Sequence, residues 1–153
     1  MSWPDDGIAL WAELERHPGR LAVVVRDREP AMSLAGLLGV EPCKVGQRLT
    51  DLPSPPDPSA ASVLLSGERV LVDLDVLFDP AMFLDPIRFL RDHSRYASGL
   101  VAVWPGDVVG DRATYSVEGR FDRYVSDLTD TLVLRARRVD FPDETPFTTE
   151  RIP

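Results

Sequence analysis

The chain has 153 residues, 44% hydrophobic and 27% charged, enough for one domain with a buried core. Its apolar runs are of strand length, short of the roughly 20 residues a membrane span needs, and its first six residues lack a basic-then-apolar secretion signal, so the expected address is cytoplasmic. The net charge of −8 disfavours direct contact with nucleic-acid phosphates, and Cys43, alone of its kind, excludes an intrachain disulfide or a multi-cysteine zinc site.

Residues 5–17 read as an amphipathic helix, capped by Asp5 or Asp6, with Ile8, Trp11, Ala12 and Leu14 on one side and Pro18-Gly19 as the stop. Leu21 to Val25 is a continuous apolar run rich in β-branched residues, the signature of a parallel strand buried on both faces. A short helix over 31–38 closes near Gly39, and 44–52 is ambiguous between strand and helical turn. Pro53, Pro55, Pro56 and Pro58 mark a loop, with a short helix around 59–66. Residues 69–78 read as the second clear strand.

Asp79-Pro80 and Asp85-Pro86 each place a capping carboxylate before a helix-starting proline, and a helix over 86–96 follows. Leu100 to Trp104 is the third buried strand, ended by Pro105-Gly106. The remaining readings are a strand over 112–117, a short helix over 121–128 and a last strand over 131–135. Residues 140–153 carry three prolines and no periodicity, and read as an extended tail beyond a domain of residues 1–139. Strands alternating with helices imply an α/β layered fold with a mainly parallel sheet.

The loop after the first buried strand is where nucleotide-binding α/β proteins hold phosphate. Glycines there let backbone N–H groups wrap the anion, a lysine neutralises it, and a Ser or Thr holds Mg²⁺. Here the segment is Arg26-Asp27-Arg28-Glu29-Pro30-Ala31-Met32-Ser33, with neither glycine nor lysine. Pro30 removes an N–H donor, and Asp27 and Glu29 repel a triphosphate at close range. Arg26 and Arg28 bring compensating charge without a cradle. Sixteen of the 17 basic residues are arginine, so a mechanism needing a lysine must use Lys44 or borrow one.

The second half carries a resemblance. The pieces are Val70-Leu71-Val72-Asp73-Leu74-Asp75-Val76-Leu77-Phe78-Asp79-Pro80, then Leu84-Asp85-Pro86-Ile87-Arg88-Phe89-Leu90 and Ser94-Arg95. After them come Leu100-Val101-Ala102-Val103-Trp104-Pro105-Gly106, Thr114-Tyr115-Ser116 and Arg123-Tyr124. In this order and spacing they resemble BrxF-like proteins, small P-loop proteins of the type 3 BREX bacteriophage-exclusion systems.

The resemblance covers roughly residues 20–135 by order of elements and is specific across about 68–125. It implies a single-domain P-loop-NTPase-like fold and a place among the protein subunits of a phage-defence complex, with self-association allowed. The family's glycine-lysine loop is missing, and its second-strand acid falls at Val72, leaving Asp73 or Asp75 to substitute.

The expected function is a non-hydrolysing structural or adaptor subunit with no cofactor and no catalytic residue. The degenerate nucleotide site comprises Arg26, Arg28, Ser33, Asp73 and Asp75. Two alternatives stay open. One is a nucleotide sensor or weak ATPase using ATP and Mg²⁺ through an atypical loop; the other is a DNA-contacting subunit, whose best cationic stretch is Arg135-Ala136-Arg137-Arg138. Asp73 and Asp75 are equally explained as loop caps or solvent-facing acids, and Trp104 as core. His17 and His93 have no ligand spacing around them, and Ser33 and Ser94 no nucleophile-elbow context. Surfaces for a partner are Trp3 and Trp11, the stiff proline loop and, preferred, Phe141 and Phe147 of the tail, along which a neighbouring surface can lie.

Overall fold

The apolar run after the first helix forms a strand, β1 (Leu21–Val25), whose first four residues are buried. Its side chains alternate between two separate cores: Leu21 and Val23 join one, Ala22 and Val24 the other. A strand apolar on both faces demands a layer of structure on each. The computed structural model of the chain describes residues 2–17, 20–50, 61, 63–79, 84–116 and 123–153. The proline loop at 53–58, the Pro18-Gly19 stop and Pro80 lie outside them; of the expected helix at 59–66, residues 61, 63 and 64 are helical.

Before β1 runs α1 (Trp3–Arg16), and after it α2 (Glu29–Leu38), both on the same face of the sheet. The buried stripe of α1 is Gly7, Leu10, Trp11 and Leu14. The expected stripe through Ile8 and Ala12 is therefore rotated, and Ile8 is exposed. The Trp11 indole donates to the Leu34 carbonyl at 3.1 Å, so the buried aromatic loses no hydrogen bond on packing against α2. Gly39 ends α2 in the left-handed conformation (φ 65°) that a glycine C-cap supplies without strain.

The ambiguous stretch resolves into both readings: β2 (Cys43–Lys44) and then α3 (Val45–Thr50). Next come β3 (Val70–Val72), a 3-10 turn (Leu74–Phe78), α4 (Pro86–Tyr96) and β4 (Leu100–Trp104). The strand expected at 69–78 is thus three residues long. Asp73 takes a left-handed backbone (φ 57°) that ends it, and the apolar residues beyond pack as a turn. Asp85 caps α4 as its Asp-Pro step predicts, accepting from the Arg88 N–H at 3.2 Å. His93 is buried with its ring Nε2 3.0 Å from the Glu68 carbonyl, a packing histidine.

The last third adds β5 (Asp107–Val109), β6 (Arg112–Tyr115), β7 (Tyr124–Asp127), β8 (Thr131–Ala136) and β9 (Phe147–Ile152). The main sheet has the order β2-β3-β4-β1-β8-β9; its first five strands are parallel and β9 is antiparallel to β8. Strands β5, β6 and β7 form a small antiparallel sheet. It covers the same face as α3 and α4, giving layers on both sides of the main sheet.

Two expectations fail here. Residues 124–127 form a strand, β7, where a short helix is expected, because Tyr124 and Ser126 turn half-buried toward the domain while Val125 faces out. The tail is no arm: residues 147–152 are the sixth strand of the main sheet, and Phe147 is buried against the ring of Trp3, centroids 6.2 Å apart. Phe147 is therefore withdrawn from any partner surface, whereas Phe141 is 64% exposed. Among the described residues no helix is long and apolar enough to cross a membrane.

Candidate functional site

In an open α/β sheet, ligands bind outside the carboxyl ends of the strands, where neighbouring strands send the chain to opposite faces. Strands β1 and β4 are such neighbours, paired from Leu21↔Leu100 to Val25↔Trp104. The chain leaves β1 into α2 on one face and leaves β4 into the small sheet on the other. An open crevice of about 240 Å³ lies at this point, lined by Arg26, Arg28, Val72, Asp73, Asp75 and Pro105 among others. Four of the five residues expected to make a degenerate nucleotide site thus share one hollow. Ser33 does not line it, because it already sits inside α2.

The loop between Val25 and Glu29 is only three residues long. A phosphate-wrapping loop must leave its strand, curl around the anion and re-enter as helix, and three residues leave no room for that curl. The N-terminus of α2 has little to add. The Glu29 N–H is taken by the Asp27 carboxylate at 2.9 Å, Pro30 has none, and the Met32 N–H donates to the Arg28 carbonyl at 2.9 Å.

Both arginines are engaged by acids. Arg26 has a left-handed backbone (φ 60°), an unfavourable conformation for a residue with a Cβ. Its N–H donates to the Trp104 carbonyl at 2.9 Å, and its Nε lies 2.7 Å from the Asp107 carboxylate. A second guanidinium nitrogen, Nη2, donates to that carboxylate at 3.0 Å and Nε donates to the Gly106 carbonyl at 3.2 Å, two bonds that fix the plane of the group. Arg28 reaches the Asp73 carboxylate at 3.7 Å, a looser ion pair across the crevice.

Asp73 is also left-handed, and its carbonyl accepts from the Gly46 N–H at 3.1 Å, which ties the end of β3 to α3. Asp75 accepts from the Tyr115 hydroxyl at 3.1 Å. Two strained non-glycine residues, Arg26 and Asp73, thus sit on opposite walls of one crevice. Strain of this kind, on the order of 1–3 kcal/mol each, persists only where surrounding contacts impose it.

Behind the crevice lies an aromatic cluster invisible in the sequence as a unit. Phe78 stacks on Tyr115 with centroids 3.8 Å apart and meets Trp104 and Tyr124 edge-on at 5.1 and 5.5 Å. Trp104 is fully buried, and its indole donates to the Thr114 carbonyl at 2.9 Å. Core packing therefore accounts for the Trp at the end of β4. The signal available in the sequence was the recurrence of single aromatics at the ends of elements: Phe78 ends the 3-10 turn, Trp104 ends β4 and Tyr115 ends β6.

Lys44 lies away from the crevice, in a larger hollow of about 400 Å³ with Glu41, Cys43, Gln47, Arg48 and Glu68. Burial, and secondarily the charge of Glu68, push the Cys43 thiol up, so it stays protonated and is a poor nucleophile there. Among the described residues, no group of three or more His, Cys, Asp or Glu is placed to hold a metal ion. The Arg135-Arg138 stretch runs from the end of β8 into the residues after it: Arg135 donates to the Val108 carbonyl at 2.7 Å, and Arg138 lies 3.7 Å from Asp140.

No family model, curated protein or solved structure matches the chain.

Proposed function

We propose that the chain is a non-hydrolysing, ATPase-like structural or adaptor subunit that works through protein contacts. The observation that carries this reading is the three-residue loop from β1 into α2. It puts two arginines at the place of a phosphate cradle yet supplies few free N–H donors, and each arginine faces a carboxylate. The crevice, at about 240 Å³, is also below the roughly 300–1,000 Å³ of ordinary ligand pockets.

The P-loop-like part of the reading is supported by the parallel sheet, by a helix following the central strand β1, and by Asp73 and Asp75 just beyond the end of β3. Its assignment to a bacterial anti-phage assembly rests on the resemblance of residues 68–125 to BrxF-like proteins.

The competing reading, a nucleotide sensor, is favoured by one observation: Arg26 and Arg28 both line the crevice. Calorimetric titration of the full chain with Mg-ATP and with Mg-GTP separates the two. The adaptor reading expects no heat up to millimolar nucleotide. Saturable heat that disappears in Arg28→Ala would hand the site to the sensor reading.

A further inference from the structure

The two edges of the main sheet differ. β2 offers two residues, too few to template another strand, whereas β9 offers six. Exposed edges are normally blunted by short length, proline, charged side chains (lysine above all) or a bulge. β9 carries one charge of each sign, Glu150 and Arg151, but no proline, lysine or bulge: its pairing with β8 runs unbroken from Thr131↔Ile152 to Ala136↔Phe147, and Thr148, Thr149, Glu150 and Arg151 are exposed. Pro146 and Pro153 bracket the strand and set its length.

The phase of its hydrogen bonds follows from one contact. The Arg137 N–H donates to the Pro146 carbonyl at 2.9 Å, so this opposed pair is a hydrogen-bonded one. Alternation along the ladder then turns the N–H and C=O of Thr148, Glu150 and Ile152 toward β8, and those of Phe147, Thr149 and Arg151 outward. Three consecutive outward positions, centred on Thr149, have no ladder partner among the described residues.

We propose that β9 pairs antiparallel with β9 of a second copy of this chain, about a two-fold axis passing through Thr149. A two-fold perpendicular to the sheet keeps every side chain on its own face and requires one residue to oppose its own counterpart; in this register that residue is Thr149. Phe147 then opposes Arg151, and Thr148 opposes Glu150. This register uses all three outward positions and forms about six main-chain hydrogen bonds. It also sets threonine against threonine, a favourable cross-strand pair. Centring on Glu150 sets two carboxylates face to face, and centring on Thr148 or Arg151 runs the pairing past the end of β9. The self-complementary register identifies a second copy as the occupant, and the dimer does not depend on what the crevice binds. Each copy carries a charge of −8, so association strengthens as salt screens the repulsion.

Sedimentation equilibrium of the full chain tests this. The expected result is a monomer–dimer equilibrium that shifts toward dimer with added salt. Thr149→Pro removes one outward N–H while sparing the β8 ladder, and Thr149→Lys opposes two ammonium groups; each weakens the dimer roughly tenfold or more. Oxidised Thr149→Cys gives a covalent dimer, because opposed Cα atoms about 5.5 Å apart suit a disulfide. Should Thr149→Pro disturb the circular dichroism, Thr149→Lys decides. A monomer at every concentration overturns the proposal, including one that accepts a foreign strand. So does a dimer that neither folded variant weakens.

Discussion

The Arg26 guanidinium lies 2.7 Å from the Asp107 carboxylate, so the cation at the mouth of the central strand is held by the small sheet. Arg26 belongs to the loop after β1 and Asp107 to β5, and their contact joins the two walls of the switch point. The pair is exposed on both sides, so its worth lies in where it holds the guanidinium more than in stability.

Asp107→Ala should therefore cost less than about 1 kcal/mol in chemical unfolding. It should also raise the affinity of the crevice for inorganic pyrophosphate severalfold, because the guanidinium is released toward the anion. Urea unfolding checks the first part, and following the Arg26 side-chain N–H resonance during pyrophosphate titration checks the second. If that resonance stays fixed in wild type and variant alike, the carboxylate is not what withholds the arginine.

The Trp104-Pro105-Gly106 turn converges on a single atom. The Trp104 indole donates to the Thr114 carbonyl oxygen, and a Cβ built on Gly106 would fall 1.8 Å from that same oxygen. Backbone there cannot retreat without breaking the pairing of β5 with β6. Gly106→Ala should cost about 2 kcal/mol or more, lowering Tm by roughly 5 °C or more. Gly110→Ala is the contrast: its Cβ meets nothing within 4 Å, and only its left-handed backbone (φ 59°) resists, at about 1 kcal/mol. Equal losses at the two sites would refute the steric account.

What the sequence made legible follows from burial. Leu21–Val25 and Leu100–Trp104 are covered on both faces, and continuous apolar runs of that length announce buried strands. The Arg26, Arg28, Asp73 and Asp75 cluster was legible for a related reason: each residue lies within three residues of the end of such a strand, and parallel strands bring their carboxyl ends together. Ser33 was misplaced because the length of the β1–α2 loop is not written in its composition. β9 was illegible because it buries only its two ends, Phe147 and Ile152, with four exposed residues between. An edge strand with that pattern carries neither period two nor a continuous apolar run.

Phe141 and Phe147 look alike in the sequence and differ in the fold. Phe147 is 4% exposed and packs edge-on against Trp3, whereas Phe141 is 64% exposed. Phe147→Ala should destabilise the chain by about 3 kcal/mol and Phe141→Ala by no more than about 0.5 kcal/mol. Urea unfolding of the two variants side by side measures the difference. A Phe147→Ala chain as stable as wild type would mean that β9 is not anchored by this ring.

Tyr124 supplies a pH dependence whose sign can be fixed. Its hydroxyl donates to the Asp85 carboxylate and accepts from the Ile87 N–H at 3.2 Å, while Asp85 also caps α4. Ionising the phenol would place a phenolate beside a carboxylate in a half-buried site. Burial first, and the bond to Asp85 second, push its pKa up to about 12. In the unfolded chain the same phenol titrates near pH 10, so between about pH 10 and pH 12 the unfolded state holds fewer protons than the folded one. The contribution to stability is complete below pH 10 and is lost progressively as pH rises through that window. Tyr124→Phe should cost about 1 kcal/mol at neutral pH and flatten the decline, since the remaining tyrosines titrate in both chains. Urea midpoints across the alkaline range compare the two. Parallel curves would show that the Tyr124 proton is not linked to folding.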